Sequence, residues 1–541
     1  MASPSSQVFL AQERLKALLP TITQLRETTG AASVSFGVLH YGDVVLQGTD
    51  GFRDAEKQIP ANIDTAYVIG SSMKAMMASC CGMLVHEGKL AWDDELSKHV
   101  KFHHALDPVL GNRATVHDAL SHTTGIAQLD LSWYGASGKN LIHPKDVLHV
   151  VAHLPITTRF RSQWSYCNYM YVIMAKVIDH AIAEDGGWSR FLTERLLEPL
   201  GMQRSKLSRD AFSDDNVAEP HYVKDDLTPG QLPRPDLSSD TLMGPAGCLW
   251  STVPDMLKWV RAVLTSVNPD RESGHEPIVL KEMDTITAHQ TQLAHRGLFE
   301  NTYGYGWSRL SMPSAMYGFM STNGNKQEPI LGRDSDRRLM LYHGGQVTGF
   351  LMTLCIFPEA QSAIVVLSNT QALGDASDWT ARAIMQELFE LRPSIDLVAQ
   401  AKLTARQALG LYARLMGDYI KNKSQSEDAD LDDKFGVYVN EGLKLHIDIR
   451  PTKNRDKVGE FFLNVRLSHA HAQTGQTQRP KNGENSDDLE FMTNNQEVSA
   501  YCIVSFVLHY SYFVGYYQIA PPVNTITDVI AYRATLASES R

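Results

Sequence analysis

The chain has 541 residues, 43% of them hydrophobic and 21% charged. That is the composition of a globular protein with a sizeable core, and it excludes a mainly disordered chain, a collagen and a disulfide-stapled miniprotein. The formal net charge of −11 gives no general attraction to nucleic acid or to an anionic membrane surface. At roughly 100–200 residues per domain, there is room for about two to four domains, or one large core with an appendage.

Residues 8–28 (VFLAQERLKALLPTITQLRET) have helical spacing, and 31–40 (AASVSFGVLH) alternate as a strand. Tyr41-Gly42-Asp43 is a turn signal, and VVLQGTDGF continues as the second strand of a hairpin. Residues 66–70 (AYVIG) lead into a helix starting near Ser71; SSMKAMMASCCGMLVHEGKL is apolar on almost every side, the pattern of a buried central helix. From about 90 to 240 helices alternate with polar turns, and 169–183 (YMYVIMAKVIDHAIA) is the clearest of them. RLMLYHGG, GFLMTLCIFPE and SAIVVLSNT then read as three strands, followed by the amphipathic helix DWTARAIMQELFEL. The expected fold is α+β: an antiparallel sheet flanked by helices, with the middle of the chain forming a helical lobe.

The composition changes towards the end. Residues 393–407 (PSIDLVAQAKLTARQ) look like a linker passing into a helix. Beyond them VYVNEGLKLHIDIRP, GEFFLNVRLSHA, VSAYCIVSFVLHYSYFVGYYQIA and TDVIAYRATLA are rich in β-branched and aromatic residues. The division is therefore 1–392, a linker at 393–407, and a small β-domain at 408–541, sandwich or barrel. The polar stretch 473–488 (QTGQTQRPKNGENSDD) reads as a loop between its strands.

Cys80, Cys81, Cys167, Cys248, Cys355 and Cys502 form no CxxC pair and read as reduced thiols. The first twenty residues lack a charged segment followed by an apolar one, so no secretory signal is expected and the location is expected to be cytoplasmic. No apolar run approaches the roughly 18 residues of a membrane span. No P-loop, dinucleotide fingerprint, nucleic-acid motif or metal spacing is present, so no cofactor and no metal are expected. His103-His104 and 469–473 (HAHAQ) read as surface histidines.

Three motifs carry chemistry. Ser71-Ser72-Met73-Lys74 is S-x-x-K at a strand-to-helix junction, where positions i and i+3 share a face. A serine hydroxyl needs a base to become a nucleophile, and a lysine is that base when burial lowers its pKa. One S-x-x-K is expected by chance in a chain of about this length, so the motif needs support. Tyr166-Cys167-Asn168 precedes a strong apolar helix; a phenol beside a cationic lysine can relay a proton to a leaving group. His343-Gly344-Gly345 ends a strand, where glycines let backbone N–H groups approach a ligand as an oxyanion hole does.

Ser71 and Tyr166 are 95 residues apart, and Tyr166 and His343 are 177 apart. In this order and combination, the motifs resemble those of the serine β-lactamase-related hydrolases, which include class C β-lactamases, DD-peptidases, esterases and fungal acyltransferases of polyketide pathways. LSHTTGI (120–126), GPAGCLWSTVPDMLKW (244–259), YGYGW (303–307) and HGGQVTGF (343–350) fit the same pattern, and the likeness runs over about residues 8–390. Residues 408–541 resemble, more weakly, the lipocalin-like domain of some members.

The resemblance implies a β-lactamase/transpeptidase-like fold in which Ser71 is acylated, Lys74 is its base and Tyr166 shuttles a proton. It implies that Asn168 orients Lys74 and the acyl-side amide, and that His343 replaces the lysine of a K-T-G triad. The oxyanion would rest on the N–H groups of Ser71 and Gln346. Gly344 lacks the usual threonine hydroxyl, which favours an ester or thioester over a β-lactam. His122 is expected to hold a loop. The partners expected are a small-molecule acyl substrate and an acyl acceptor or carrier-bound thioester, in secondary-metabolite chemistry. The alternatives are a true β-lactamase or D-amino-acid peptidase, and a catalytically silent ligand-binding protein.

Overall fold

The computed structural model describes residues 4–130, 133, 140, 142–183, 186–224, 226–268, 279–293, 300–323, 329–410, 436–440, 442–443, 445–451, 461–467 and 489–491. Helices α1 (Pro4–Ala17) and α2 (Leu19–Thr29) replace the one helix expected over 8–28. Pro20, at the start of α2, has no N–H with which to continue the ladder, and the chain turns there.

The frame is a nine-stranded sheet. Its strands are β1 (Ser33–His40), β2 (Asp43–Asp54), β3 (Ile59–Pro60), β4 (Thr291–Gln292), β5 (Asn301–Tyr303), β6 (Ser308–Met312), β7 (Arg338–Val347), β8 (Phe350–Phe357) and β9 (Ser362–Ser368). They lie in the order β3-β2-β1-β9-β8-β7-β6-β5-β4, with antiparallel pairing throughout. First and last thirds of the chain meet where Val34 pairs with Ser368 and Leu39 with Ala363.

Both faces are covered, which is why β1, β8 and β9 are buried along their whole length. Val34, Phe36, Ile364 and Val366 join Leu15, Leu25, Trp379 and Ile384 in one core. These come from α1, α2 and α6 (Ala376–Leu388). Met352, Leu354, Val365 and Leu367 face the other way, into a larger core shared with the helical lobe. That core is built on α3 (Met73–His86), α4 (Asn168–Ile182) and α5 (Val253–Val267). In α3 every residue from Met73 to Leu84 is buried.

Much of 393–407 is α7 (Leu397–Leu409), with Leu397, Ala401 and Ala405 buried and the helix packed on α2. Beyond it the described strands are β10 (Gly436–Asn440), β11 (Leu445–Pro451), β12 (Phe461–Leu467) and β13 (Leu489–Phe491). They form an open antiparallel meander in that order, with no barrel closure among the described residues. The polar stretch 473–488, the histidines of 469–473, Cys502 and the strands expected beyond residue 491 lie outside the described residues. Cys80, Cys81, Cys167, Cys248 and Cys355 are unpaired and buried. His104 differs from its expected surface place: it is buried, with Nε2 3.0 Å from the Leu154 carbonyl oxygen.

Candidate active site

The chain enters α3 through a sharp turn. Tyr67 and Val68 pair with Ser251 and Trp250, and the Ile69 N–H donates to Leu249 O at 2.8 Å. Gly70 then takes φ +53°, which glycine adopts readily. A short 3-10 turn over Gly70–Ser72 leads into the helix. Ser71 is left half-buried at the mouth of this turn.

Lys74 is wholly buried one turn further on. Its Nζ lies 3.0 Å from Ser71 Oγ and 2.9 Å from the Ala246 carbonyl oxygen. The carbonyl can only accept, so it takes a proton of Nζ and leaves a neutral amine free to turn its lone pair to Ser71. Burial brings the Lys74 pKa down to about 7, against the opposing pull of Asp130 and Cys167. The Nζ also sits 5.1 Å from the Tyr166 ring centre and 5.4 Å from that of Tyr171.

Tyr166 is buried in an aromatic cluster with Trp164, Tyr303 and His122. His122 does more than hold a loop, because the loop it holds carries Tyr166. Its backbone oxygen accepts the Ser165 N–H at 2.8 Å, and its Nδ1 accepts the Cys167 N–H at 3.1 Å. Its ring lies 4.3 Å from the Tyr166 ring, centre to centre. With Nδ1 accepting, the proton belongs to Nε2. Burial, then Lys74 and His343, hold the His122 pKa well below its usual value, so the ring is neutral.

Asn168 is placed differently from its expected role. Its Nδ2 lies 3.2 and 3.1 Å from the two carboxyl oxygens of Asp130, whereas the polar partners of Lys74 are Ser71 and Ala246. His343 also departs from the part of a triad lysine. It is buried, with Nδ1 2.6 Å from Gly344 O and Nε2 3.1 Å from the Tyr303 hydroxyl. A carbonyl only accepts, so Nδ1 carries the proton and the Tyr303 O–H donates to Nε2. Burial, with Lys74 adding to it, lowers the His343 pKa to about 3. It is a neutral imidazole with both nitrogens engaged inside the protein, not a cation facing substrate.

The two glycines have separate reasons. A Cβ on Gly345 would come within 2.0 Å of Ile69 O, so only glycine lets β7 lie against the turn before Ser71. A Cβ on Gly344 would meet Met320 Cβ and O at 3.1 Å, so the methionine segment occupies the place of a larger side chain. Gln346 N lies 2.9 Å from the position a Gly70 Cβ would take, which puts it beside the turn carrying Ser71. Among the described residues no group of three or more His, Cys, Asp or Glu side chains could hold a metal ion.

Sequence reasoning missed Asp130 and Ala246 and undervalued His122. A lone Asp and a backbone carbonyl carry no spacing signal. His122 does stand in SHTTG, which the family likeness had marked.

A serine and a buried lysine thus share one helical turn, faced by a glycine strand of an α+β sheet. The Beta-lactamase family profile matches residues 20–387, and the chain belongs to that family. An unguisins hydrolase of Aspergillus campestris is 21% identical over 373 residues, 67% of this chain and 62% of that protein. Protein flp of Staphylococcus aureus is 20% identical over 359 residues, 66% of this chain and 63% of its own length. The chain thus spans under two thirds of the length of these curated relatives. The octameric penicillin-binding protein homologue from Pyrococcus abyssi shares the fold with a TM-score of 0.56 at 19% identity, over 84% of this chain and 88% of that one. No helix among the described residues is long and apolar enough to cross a membrane.

Proposed function

We propose that the protein transfers an acyl group through a Ser71 acyl-enzyme, on a small-molecule ester, thioester or amide. One observation carries the reading: the fully buried Lys74 amine lies 3.0 Å from a half-buried Ser71 hydroxyl. Lys74 takes the Ser71 proton as the hydroxyl attacks the carbonyl. The oxyanion rests on the N–H groups of Ser71 and Gln346. Lys74 and Tyr166 pass the proton to the leaving group, which departs as the acyl-enzyme forms. Water or an acceptor alcohol or amine then attacks the ester carbonyl and releases Ser71.

The hydrolase name of the Aspergillus relative supports water as the acceptor. The crowding of Gly344 by Met320 supports an ester or thioester over a β-lactam, because the hydroxyl that would meet a substrate carboxylate has no side chain to carry it. A cytoplasmic role in secondary-metabolite chemistry goes with that reading, as does the division into 1–392, 393–407 and 408–541. The test is intact-protein mass spectrometry after a fluorophosphonate probe, with Ser71→Ala alongside. One adduct lost in the variant is the expected result. An unlabelled wild type would leave a silent binding protein, and an adduct retained in Ser71→Ala would mean another serine is the nucleophile.

A further inference from the structure

Among the described residues, Lys74 is bounded by aromatic rings and a backbone carbonyl. The Tyr166 and Tyr171 rings lie over its amine, and the Ala246 carbonyl accepts from it. Burial pushes the Cys167 thiol up to about 12, and burial keeps His122 and His343 neutral. Among the described residues, the carboxylate whose charge favours the protonated Lys74 is Asp130.

Asp130 is itself buried and is met by three N–H donors from separate side chains. Trp133 Nε1 donates to Oδ1 at 2.8 Å, and Gln128 Nε2 donates to Oδ2. Asn168 Nδ2 approaches both oxygens, at 3.2 and 3.1 Å. Burial raises the Asp130 pKa, and these donors pull it back. Three donors and, among the described residues, no acceptor are the company of an ionised carboxylate. The same contact fixes which way round the Asn168 amide sits, with nitrogen towards Asp130 and carbonyl oxygen away from it.

We infer that Asp130 is a positioning residue for acyl transfer: it is the buried counter-charge of the Ser71–Lys74 pair and the clamp that orients Asn168. This rests on the Ser71 acyl-enzyme reading above. The role is electrostatic, so it predicts a sign that mere loosening of the site would not give. A negative charge near an amine favours its protonated form. Removing the charge lets Lys74 lose its proton at lower pH, and the base becomes available earlier.

The experiment follows the second-order rate of Ser71 labelling by a fluorophosphonate against pH, on the full chain. The wild-type rate rises to a plateau through an acid limb set by Lys74. Asp130→Asn keeps the shape and removes the charge. Its limb should move down by about one pH unit, so that at one unit below the wild-type midpoint the rate, as a fraction of its own plateau, rises about fivefold. Trp133→Phe removes one of the donors that keep Asp130 ionised, and its limb should move the same way by less. If Asp130→Asn loses its cooperative melting transition, Trp133→Phe decides by the same sign. A limb that stays in place or moves up in the folded variants overturns the inference, whatever happens to the plateau. A wild type that does not label at all removes the acyl-enzyme reading and this inference with it.

Discussion

Gly345→Ala tests the geometry on which the whole site depends. The added Cβ would lie 2.0 Å from Ile69 O, where real Cβ atoms essentially never approach within 3.0 Å. The strand and the turn must therefore separate by about 1 Å. Ile69 is two residues from Ser71, and Gln346 N is itself 2.9 Å from the Gly70 Cβ position. The separation thus spreads the two N–H groups proposed to hold the oxyanion. A misplacement of about 1 Å costs roughly 10²-fold in rate, the same order as losing one oxyanion donor. Overpacking of this kind costs about 1–3 kcal/mol in stability. The assay is the fluorophosphonate labelling rate at a pH above the Lys74 limb, with thermal melting to separate rate from stability. Gly344→Ala is the milder comparison, because its Cβ would meet Met320 Cβ and O at 3.1 Å, which asks that segment to give by only a few tenths of an ångström. Labelling of Gly345→Ala within about threefold of wild type would refute the close approach as the reason for the glycine.

Other perturbations probe the charges. Lys74→Met should abolish labelling and also stabilise the fold. Burial depresses the Lys74 pKa from 10.5 to about 7, so below pH 7 the folded protein carries a buried ammonium at its full cost. From about 7 to 10.5 the unfolded chain holds the extra proton, and stability rises with pH. The gain in melting temperature of Lys74→Met over wild type should therefore be larger at pH 6 than at pH 9; an equal gain at both would contradict the depressed pKa. Tyr166→Phe keeps the ring against His122 and removes the hydroxyl, so turnover of an ester with a poor leaving group should fall by about 10²–10⁴ while the fold is retained. An unchanged turnover number would remove Tyr166 from the relay. His122→Phe keeps a ring but leaves the Cys167 N–H buried without its acceptor, a loss of about 1–3 kcal/mol read as a lower urea midpoint. A midpoint equal to wild type would show that the imidazole nitrogen does not hold the loop.

The sheet and the central helix were legible because their apolar patterns are unambiguous. SAIVVLS and FLMTLCIF read as strands with no polar face, and both are buried on two sides. SSMKAMMASCCGMLVH reads as a helix without a wet side, and so it is. The break at Pro20 is local chemistry that the periodicity of the flanking residues conceals. The Ser71–Lys74 pair is visible from spacing because both residues share one helical turn. His343 and Asn168 are harder cases. Their position in the chain marks them, but their partners Tyr303 and Asp130 come from other segments, 40 and 38 residues away. A motif shows which side chain arrives at a site, and only the fold decides which of its atoms remain for chemistry.

That distinction bears on why Lys74, rather than a neighbouring histidine, is the proposed base. His343 and His122 both stand near Lys74, and the ordinary pKa of a histidine is already close to the value of about 7 to which burial brings Lys74. Each is disarmed by its hydrogen bonds as well as by burial. His343 spends one nitrogen on Gly344 O and the other on the Tyr303 hydroxyl, and His122 spends Nδ1 on the Cys167 N–H. Lys74 has three protons to give and a single carbonyl, Ala246, taking one of them. Losing a proton then frees a lone pair beside Ser71 without breaking that contact. As the proposed base, Lys74 can titrate without giving up its anchor, which neither of the two histidines can do.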